Sequence, residues 1–275
     1  MKTNVLIMLL FFAAGLQAQT HRFIYEVDYR RDSTSDYLTK QVYHLDISGK
    51  KSMYYIRDYF VADSLLQHNL PFPEAGQLST SNIIEHTHGT DEFSEYALLQ
   101  SLVLKLSGTD RQEWQLTGSS KQENGLQLQE ARTAWGGRNW TAWFTADIPF
   151  QEGPHKFHGL PGLITRLEDS EGHYTFSLIK SENRKSTYQH IHIAAMKAKS
   201  VATDRRQYEK TKQTYYDSPV SFLRSTKRNS GADFFLNDGT VVSQNNTREI
   251  NERLRKEVHT FNNPIERNRA ISYKE

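Results

Sequence analysis

Two-residue alternation of apolar and polar side chains constrains this chain more than any other feature of its sequence. Phe23, Tyr25, Val27 and Tyr29 alternate with Ile24, Glu26, Asp28 and Arg30, and Tyr43, Leu45 and Ile47 alternate with His44, Asp46 and Ser48. Successive side chains of a strand point to opposite faces, so a period of two over such lengths means half-buried β-strands. Ser48-Gly49-Lys50 reads as a turn into a third strand over Ser52 to Ile56, which makes a first antiparallel meander.

Beyond that meander, Pro71, Pro73, Gly76 and Gly89 interrupt every period, so residues 63–95 are expected to be loop with short strands. Leu102, Leu104 and Leu106 alternate with Val103 and Lys105, and Leu98 to Leu106 is read as a strand ending at Ser107-Gly108. Trp114 to Leu116, a polar turn from Ser119 to Gly125, Leu126 to Ala134, Gly136-Gly137-Arg138 and Trp140 to Thr145 form consecutive hairpins. Leu163 to Leu167, a turn from Asp169 to Gly172 and His173 to Lys180 form another.

The last third carries helix signals. Asp204 with Gln207 suggests a capping box for a helix running to Asp217, stopped by Ser218-Pro219. Asn246 with Glu249 repeats the pattern for a helix to Thr260, with Ile250, Leu254 and Val258 on one face. Phe234-Phe235-Leu236 and Thr240-Val241-Val242 flank a turn at Asn237-Asp238-Gly239. The expected fold is mainly β (β-rich α+β): a single curled or partly closed antiparallel sheet with two late helices, in one domain over residues 19–275.

Met1 to Ala18 reads as a secretory signal: Lys2 supplies the positive charge, Val5 to Ala14 the apolar region and Ala18 the small residue for cleavage. The apolar run to Leu16 is shorter than the roughly 20 residues a spanning helix needs, so no transmembrane segment is expected in the mature chain. Zero Cys among 275 residues excludes disulfide scaffolds, thiolate metal sites and cysteine nucleophiles. Lys197 to Glu275 holds 16 basic and 10 acidic residues, a charge of +6, against −5 for residues 19–196. The signs are mixed along the basic end, which favours solvated helix faces over nucleic-acid binding.

Chemistry-bearing residues are sparse. His86-Thr87-His88 and His190-Ile191-His192 each place two imidazoles on one side of a strand, a spacing that suits zinc or copper, and His155 and His158 could add to either pair. An isolated pair falls short of the three or four protein ligands of a zinc site, so tight metal binding is not expected. Glu168 and Asp169 lie beside a turn and read as solvated. Trp135, Trp140 and Trp143 could line a sugar or peptide groove, although core packing accounts for them more simply. Neither a Gly-x-Ser-x-Gly elbow nor a phosphate loop is present.

Trp140 to Pro149, with Trp143 at its centre, is followed by Gly153-Pro154-His155-Lys156-Phe157-His158 and Gly159-Leu160-Pro161-Gly162-Leu163-Ile164. Together with Asn262-Asn263-Pro264-Ile265-Glu266 near the end, these segments resemble the GLPGLI family of secreted bacterial proteins. One departure is visible, since many members carry a Cys near the position of Thr133. The resemblance implies an exported protein of the periplasm, outer-membrane surface or medium, with no defined catalytic residue and no cofactor. It implies as partner an outer-membrane TonB-dependent receptor or its ligand.

The Gly and Pro residues of the motif read as architectural: Pro154 and Pro161 fix φ, while Gly153, Gly159 and Gly162 permit positive φ or close backbone approach. The functional reading is a non-catalytic accessory or ligand-binding protein of the cell envelope. The alternative is a metal-binding protein or metal-dependent enzyme that uses the His-x-His pairs.

Overall fold

The structure, a computed structural model, describes residues 19–72, 78–184, 188–226, 234–236 and 238–274. The expected signal at 1–18 and the turn residue Asn237 lie outside them. Six strands form the first half: β1 (Thr20–Tyr29), β2 (Thr39–Ser48), β3 (Lys51–Ile56), β4 (Ile83–Thr87), β5 (Glu92–Leu99) and β6 (Leu102–Thr109). Five follow: β7 (Gln115–Glu123), β8 (Leu126–Trp135), β9 (Arg138–Thr145), β10 (Leu163–Asp169) and β11 (Tyr174–Arg184). With the short β12 (Val201–Thr203) they make a 12-stranded sheet, ordered β12-β6-β5-β4-β3-β2-β1-β11-β10-β9-β8-β7.

The topology is two meanders joined at the centre. The chain runs outward from β1 to β6, restarts at the far edge as β7, and winds inward until β11 pairs antiparallel with β1. Only β12 is parallel to its neighbour. The sheet stays open, with β12 and β7 as unjoined edges. Register shifts interrupt β1 against β11, β9 against β10 and β7 against β8; such bulges bend strands and deepen twist.

That curvature lets one sheet enclose a core. A single buried cluster holds Phe93 of β5, Tyr54 of β3, Tyr25 of β1, Trp140 of β9 and Ala131 of β8, together with Phe157 and Leu160 from the β9–β10 connection. Strands so far apart in the order share a cluster because the connection fills the space between them. On β3 the neighbouring Tyr55 belongs to a second cluster, so the alternation sends one tyrosine to each face.

Helices cover the other clusters. Helix α1 (Arg57–Gln67) and α2 (Ile191–Ala198) close over Tyr55, Ile83 and Val103, while α3 (Arg205–Asp217), α4 (Pro219–Thr226) and α5 (Thr247–Thr260) pack with the hairpin β13 (Phe234–Phe235) and β14 (Val241–Val242). None of the helices among the described residues is long and apolar enough to cross a membrane.

Several expectations are corrected. Four helices, not two, follow residue 190 among the described residues, because Pro219 starts α4 at its first position, where a missing N–H costs nothing. Helix α1 occupies part of the region read as loop; its fully buried apolar residues are Tyr59 and Ala62, with Phe60 half-buried beside them, too little for a visible period. The single strand expected over 98–106 is a hairpin turning at Gln100, whose φ is 55°. The turn expected over 119–125 is two residues, Asn124-Gly125, both at positive φ, with the residues before it in β7. Asp204 caps α3 by accepting from the Gln207 N–H as expected, but Asn246 spends its carboxamide on Ser243 and Val241, and no capping box forms with Glu249.

Candidate functional site

The motif residues lie in the β9–β10 connection, which folds back across the concave face of the sheet. Phe157 sits at its centre with ring centroids 4.7 Å from Trp135 and 4.8 Å from Trp140. The connection leaves no room at two glycines. A Cβ on Gly153 would stand 2.7 Å from Ile164 Cδ1, and one on Gly162, whose φ is +148°, would stand 2.0 Å from the Thr145 carbonyl oxygen. Gly159 has φ +88° but open space around it. Pro154, Leu160, Leu163 and Ile164 are buried, Pro161 is exposed, and the half-buried Trp143 carries the Lys121 ammonium 4.4 Å above its ring.

The same connection brings a polar row into the sheet. Glu152 accepts from Ser52 Oγ at 2.9 Å and from His86 Nδ1 at 2.8 Å, and Lys156 forms ion pairs with Glu95 at 2.9 Å and Glu266 at 2.6 Å. His86 Nε2 faces the Thr90 carbonyl at 2.8 Å. Both its ring nitrogens therefore meet acceptors, which only the doubly protonated ring satisfies. Burial, the largest single influence, pushes its pKa down, but the bond to Glu152 together with the charge of that carboxylate, the Thr90 carbonyl and Asp91 outweighs burial and raises it. His158 lies with its ring 4.4 Å from that of His86; its nitrogens face the Lys156 carbonyl and Asp91, and its backbone N–H donates to Gln112 Oε1. His88 Nε2 is 3.6 Å from Glu152 and has no hydrogen-bond partner.

Three histidines singled out from sequence, His86, His88 and His158, thus converge, while His155 turns away toward Tyr54 and Trp135. They border an open cleft of about 760 Å³ between the β4–β5 turn, residues 111–114 and the connection, walled by Trp114 and Phe150 with Gln112, Thr90 and Glu152 among its polar groups. Glu152, Gln112 and Trp114 carried no signal as members of this site, because only the tertiary fold brings three separate segments together. Among the described residues no group of three His, Asp or Glu is placed to hold a metal ion.

The pair His190 and His192 is not on a strand. Residues from Ile191 form α2, and His190 is its N-cap residue. Its ring lies between two carboxylates, 3.2 Å from Asp46 and 3.3 Å from Asp63, while the His192 backbone N–H donates to Asp63. Asp46 also takes a bidentate bond from Arg22, both contacts at 2.6 Å, and accepts from the Tyr55 hydroxyl. Arg22 packs between the rings of Phe60 and Tyr188. This buried network fastens α1 and α2 to β1–β3.

The network predicts a pH profile. Burial lowers the His190 pKa, but the Asp46 and Asp63 carboxylates on either side of its ring outweigh it and raise it. Its stabilising contribution is complete below the unfolded value of about 6.5 and is lost as pH rises through the folded value. His44, pushed down to about 4 by burial and then by Arg22, acts oppositely, destabilising as pH falls below about 6.5 toward its folded value. Thermal melts between pH 4 and 9 are expected to peak near about pH 6.5, and His190→Gln should flatten the alkaline limb. An unchanged alkaline limb would refute the assignment.

Asp169, expected to be solvated, is 5% exposed; it receives Arg138 Nη1 at 2.7 Å and the N–H groups of His173 and Tyr174. Arg138 also donates to the Asn263 side chain and the Pro264 and Ile265 carbonyls. The two ends of the motif set, Gly136-Gly137-Arg138 and Asn262 to Glu266, are therefore locked together. Thr133, the position noted as departing from the family pattern, is buried with its hydroxyl unpartnered.

Residues 88–166 match the model of a family described as a protein of unknown function (Porph_ging), a span that includes the hexapeptide and most of the cleft. No curated protein matches the sequence. A solved structure of PNGF-II in space group C2 is similar in fold, with 16% sequence identity and a TM-score of 0.51, covering 70% of this chain. A second, in space group P21, has 15% identity and a TM-score of 0.49 over 70% of the chain. This chain spans about a third of the length of the PNGF-II chains, 32% and 33%. What the comparisons show is a matched segment of a family of unknown function within a fold shared, at low identity, with part of PNGF-II.

Proposed function

We propose that this is an exported, non-catalytic ligand-binding protein of the cell envelope, with the cleft beside His88, Gln112 and Trp114 as its binding site and the Gly153–Ile164 motif as the framework that shapes it. The observation that carries the reading is the state of the two most buried ionisable groups of the cleft: His86 is bonded at both nitrogens, and Glu152 is held by His86 and Ser52. Groups tied in this way hold a surface in shape, whereas a general acid or base has to exchange its proton with a reactant. Export rests on the Met1 to Ala18 pattern, and an outer-membrane receptor is the partner the resemblance implies.

Ligand-observed NMR with a library of small polar fragments tests the site. Gln151 is exposed at the rim, and Gln151→Trp is expected to abolish the hits seen with the wild-type protein, whose fragments should be recovered chemically unchanged. Equal hits on both proteins would place binding elsewhere, and a converted fragment would make it an enzyme. Intact mass of protein from the periplasm or medium should lack Met1 to Ala18; a retained leader would refute export.

A further inference from the structure

We infer that the ligand of this cleft is a saccharide, recognised through a hydroxyl group set against an aromatic wall; the inference rests on the cleft being the binding site. Two buried polar atoms at the cleft are left without partners: Nε2 of Gln112 and Nε2 of His88. Gln112 is 6% exposed, and its Oε1 is committed to the His158 N–H at 3.1 Å, which fixes the amide so that Nε2 is a donor in want of an acceptor. A buried polar group left unpaired carries an uncompensated desolvation cost, so an occupant that answers it gains correspondingly.

His88 stands beside an acceptor of the same cleft. Its Nε2 has no hydrogen-bond partner and lies 3.6 Å from a Glu152 carboxylate oxygen. The cleft lining thus holds an unused donor on Gln112 and a carboxylate acceptor on Glu152, and a hydroxyl can accept from the one and donate to the other.

A water molecule would answer the polar atoms equally but would leave the faces of Trp114 and Phe150 wet. A pyranose ring presents hydroxyls along its edge and a C–H face that covers an aromatic surface. About 760 Å³ of cleft volume is ample for one or more such rings, within the usual range of roughly 300–1,000 Å³ for ligand sites. Phosphorylated or strongly acidic ligands fit less well, because the carboxylates of Asp91, Glu113 and Glu152 outnumber the cations of Arg111 and His86 in the same lining.

The labelled mature protein is probed on an array of neutral and acidic oligosaccharides and on a peptide array of similar ligand size. Neutral oligosaccharides are expected to bind. Gln112→Glu keeps the oxygen that holds His158 but turns the donor into an acceptor, and it should weaken binding at least ten-fold; His88→Phe should do the same and serves if the first variant fails to fold. Peptide binding alone, lost in Gln151→Trp, would overturn the saccharide inference while leaving the cleft as the site. Saccharide binding unchanged in all three variants would overturn both, and no binding to either array would overturn the saccharide inference.

Discussion

Gly162→Val is expected to remove most of the stability of this protein, by more than about 3 kcal/mol, the range of exceptional single substitutions. Two costs add. The φ of +148° is a region that β-branched residues essentially do not occupy, worth about 1–3 kcal/mol of strain. A Cβ would also stand 2.0 Å from the Thr145 carbonyl oxygen, 2.5 Å from its carbon and 2.9 Å from Ala146 Cα. All three are backbone atoms of the end of β9 and its exit, so relief requires β9 and β10 to separate. Gly159→Ala is the control: its φ is +88°, yet nothing lies within 4 Å of the added carbon, so it should cost only the backbone strain of about 1–2 kcal/mol. Urea titrations of the three proteins decide the matter. A Gly162→Val midpoint equal to that of Gly159→Ala would mean that close approach is unimportant and that the motif serves something other than the backbone path.

The second large effect is expected at Arg138. Arg138→Met retains much of the side chain's length but leaves the buried Asp169 without its cation and takes donors from Asn263, Pro264 and Ile265. Breaking a buried pair by removing one partner costs about 3–5 kcal/mol. The His173 and Tyr174 N–H groups still support Asp169, which places the expectation at the lower end, about 3 kcal/mol. Arg267 and Glu171 form an exposed bidentate pair nearby, and Arg267→Gln should cost less than about 1 kcal/mol. Limited proteolysis gives a second readout: in Arg138→Met the segment after Thr260 should be cleaved sooner, because Arg138 is the hub that ties it to the β8–β9 hairpin. Wild-type resistance there, with an unchanged urea midpoint, would refute the role.

Local pattern was enough to read many of the strands. Phe23 to Tyr29 and Tyr43 to Ile47 became β1 and β2, and the hairpins from Gln115 to Thr145 and Leu163 to Lys180 became β7–β11, because each strand's alternation and each turn's glycine belong to the same few residues. The Asp204 cap and the Ile250, Leu254 and Val258 face were legible for the same reason. Helix α2 was not read: the His190-Ile191-His192 spacing suggested a strand, whereas the following Ala194-Ala195-Met196-Lys197-Ala198 favours a helix, and the Asp63 carboxylate of α1, distant in sequence, takes the His192 N–H at its start.

The cleft divides in the same way. Residue order and composition alone point to a large, mainly antiparallel sheet, to the absence of cysteine chemistry, and to histidines and a Gly/Pro-rich motif as the features to follow. The folded chain adds that His86, His88 and His158 meet while His155 does not, that Glu152 bonds His86, and that Gln112 in the same lining keeps an unused donor. Alternation and turn signals act over a few residues, whereas this site exists because the β9–β10 connection is laid back across a curved sheet. Its position there is set by the lack of space at Gly153 and Gly162 and by the burial of Phe157, none of which has a local signature.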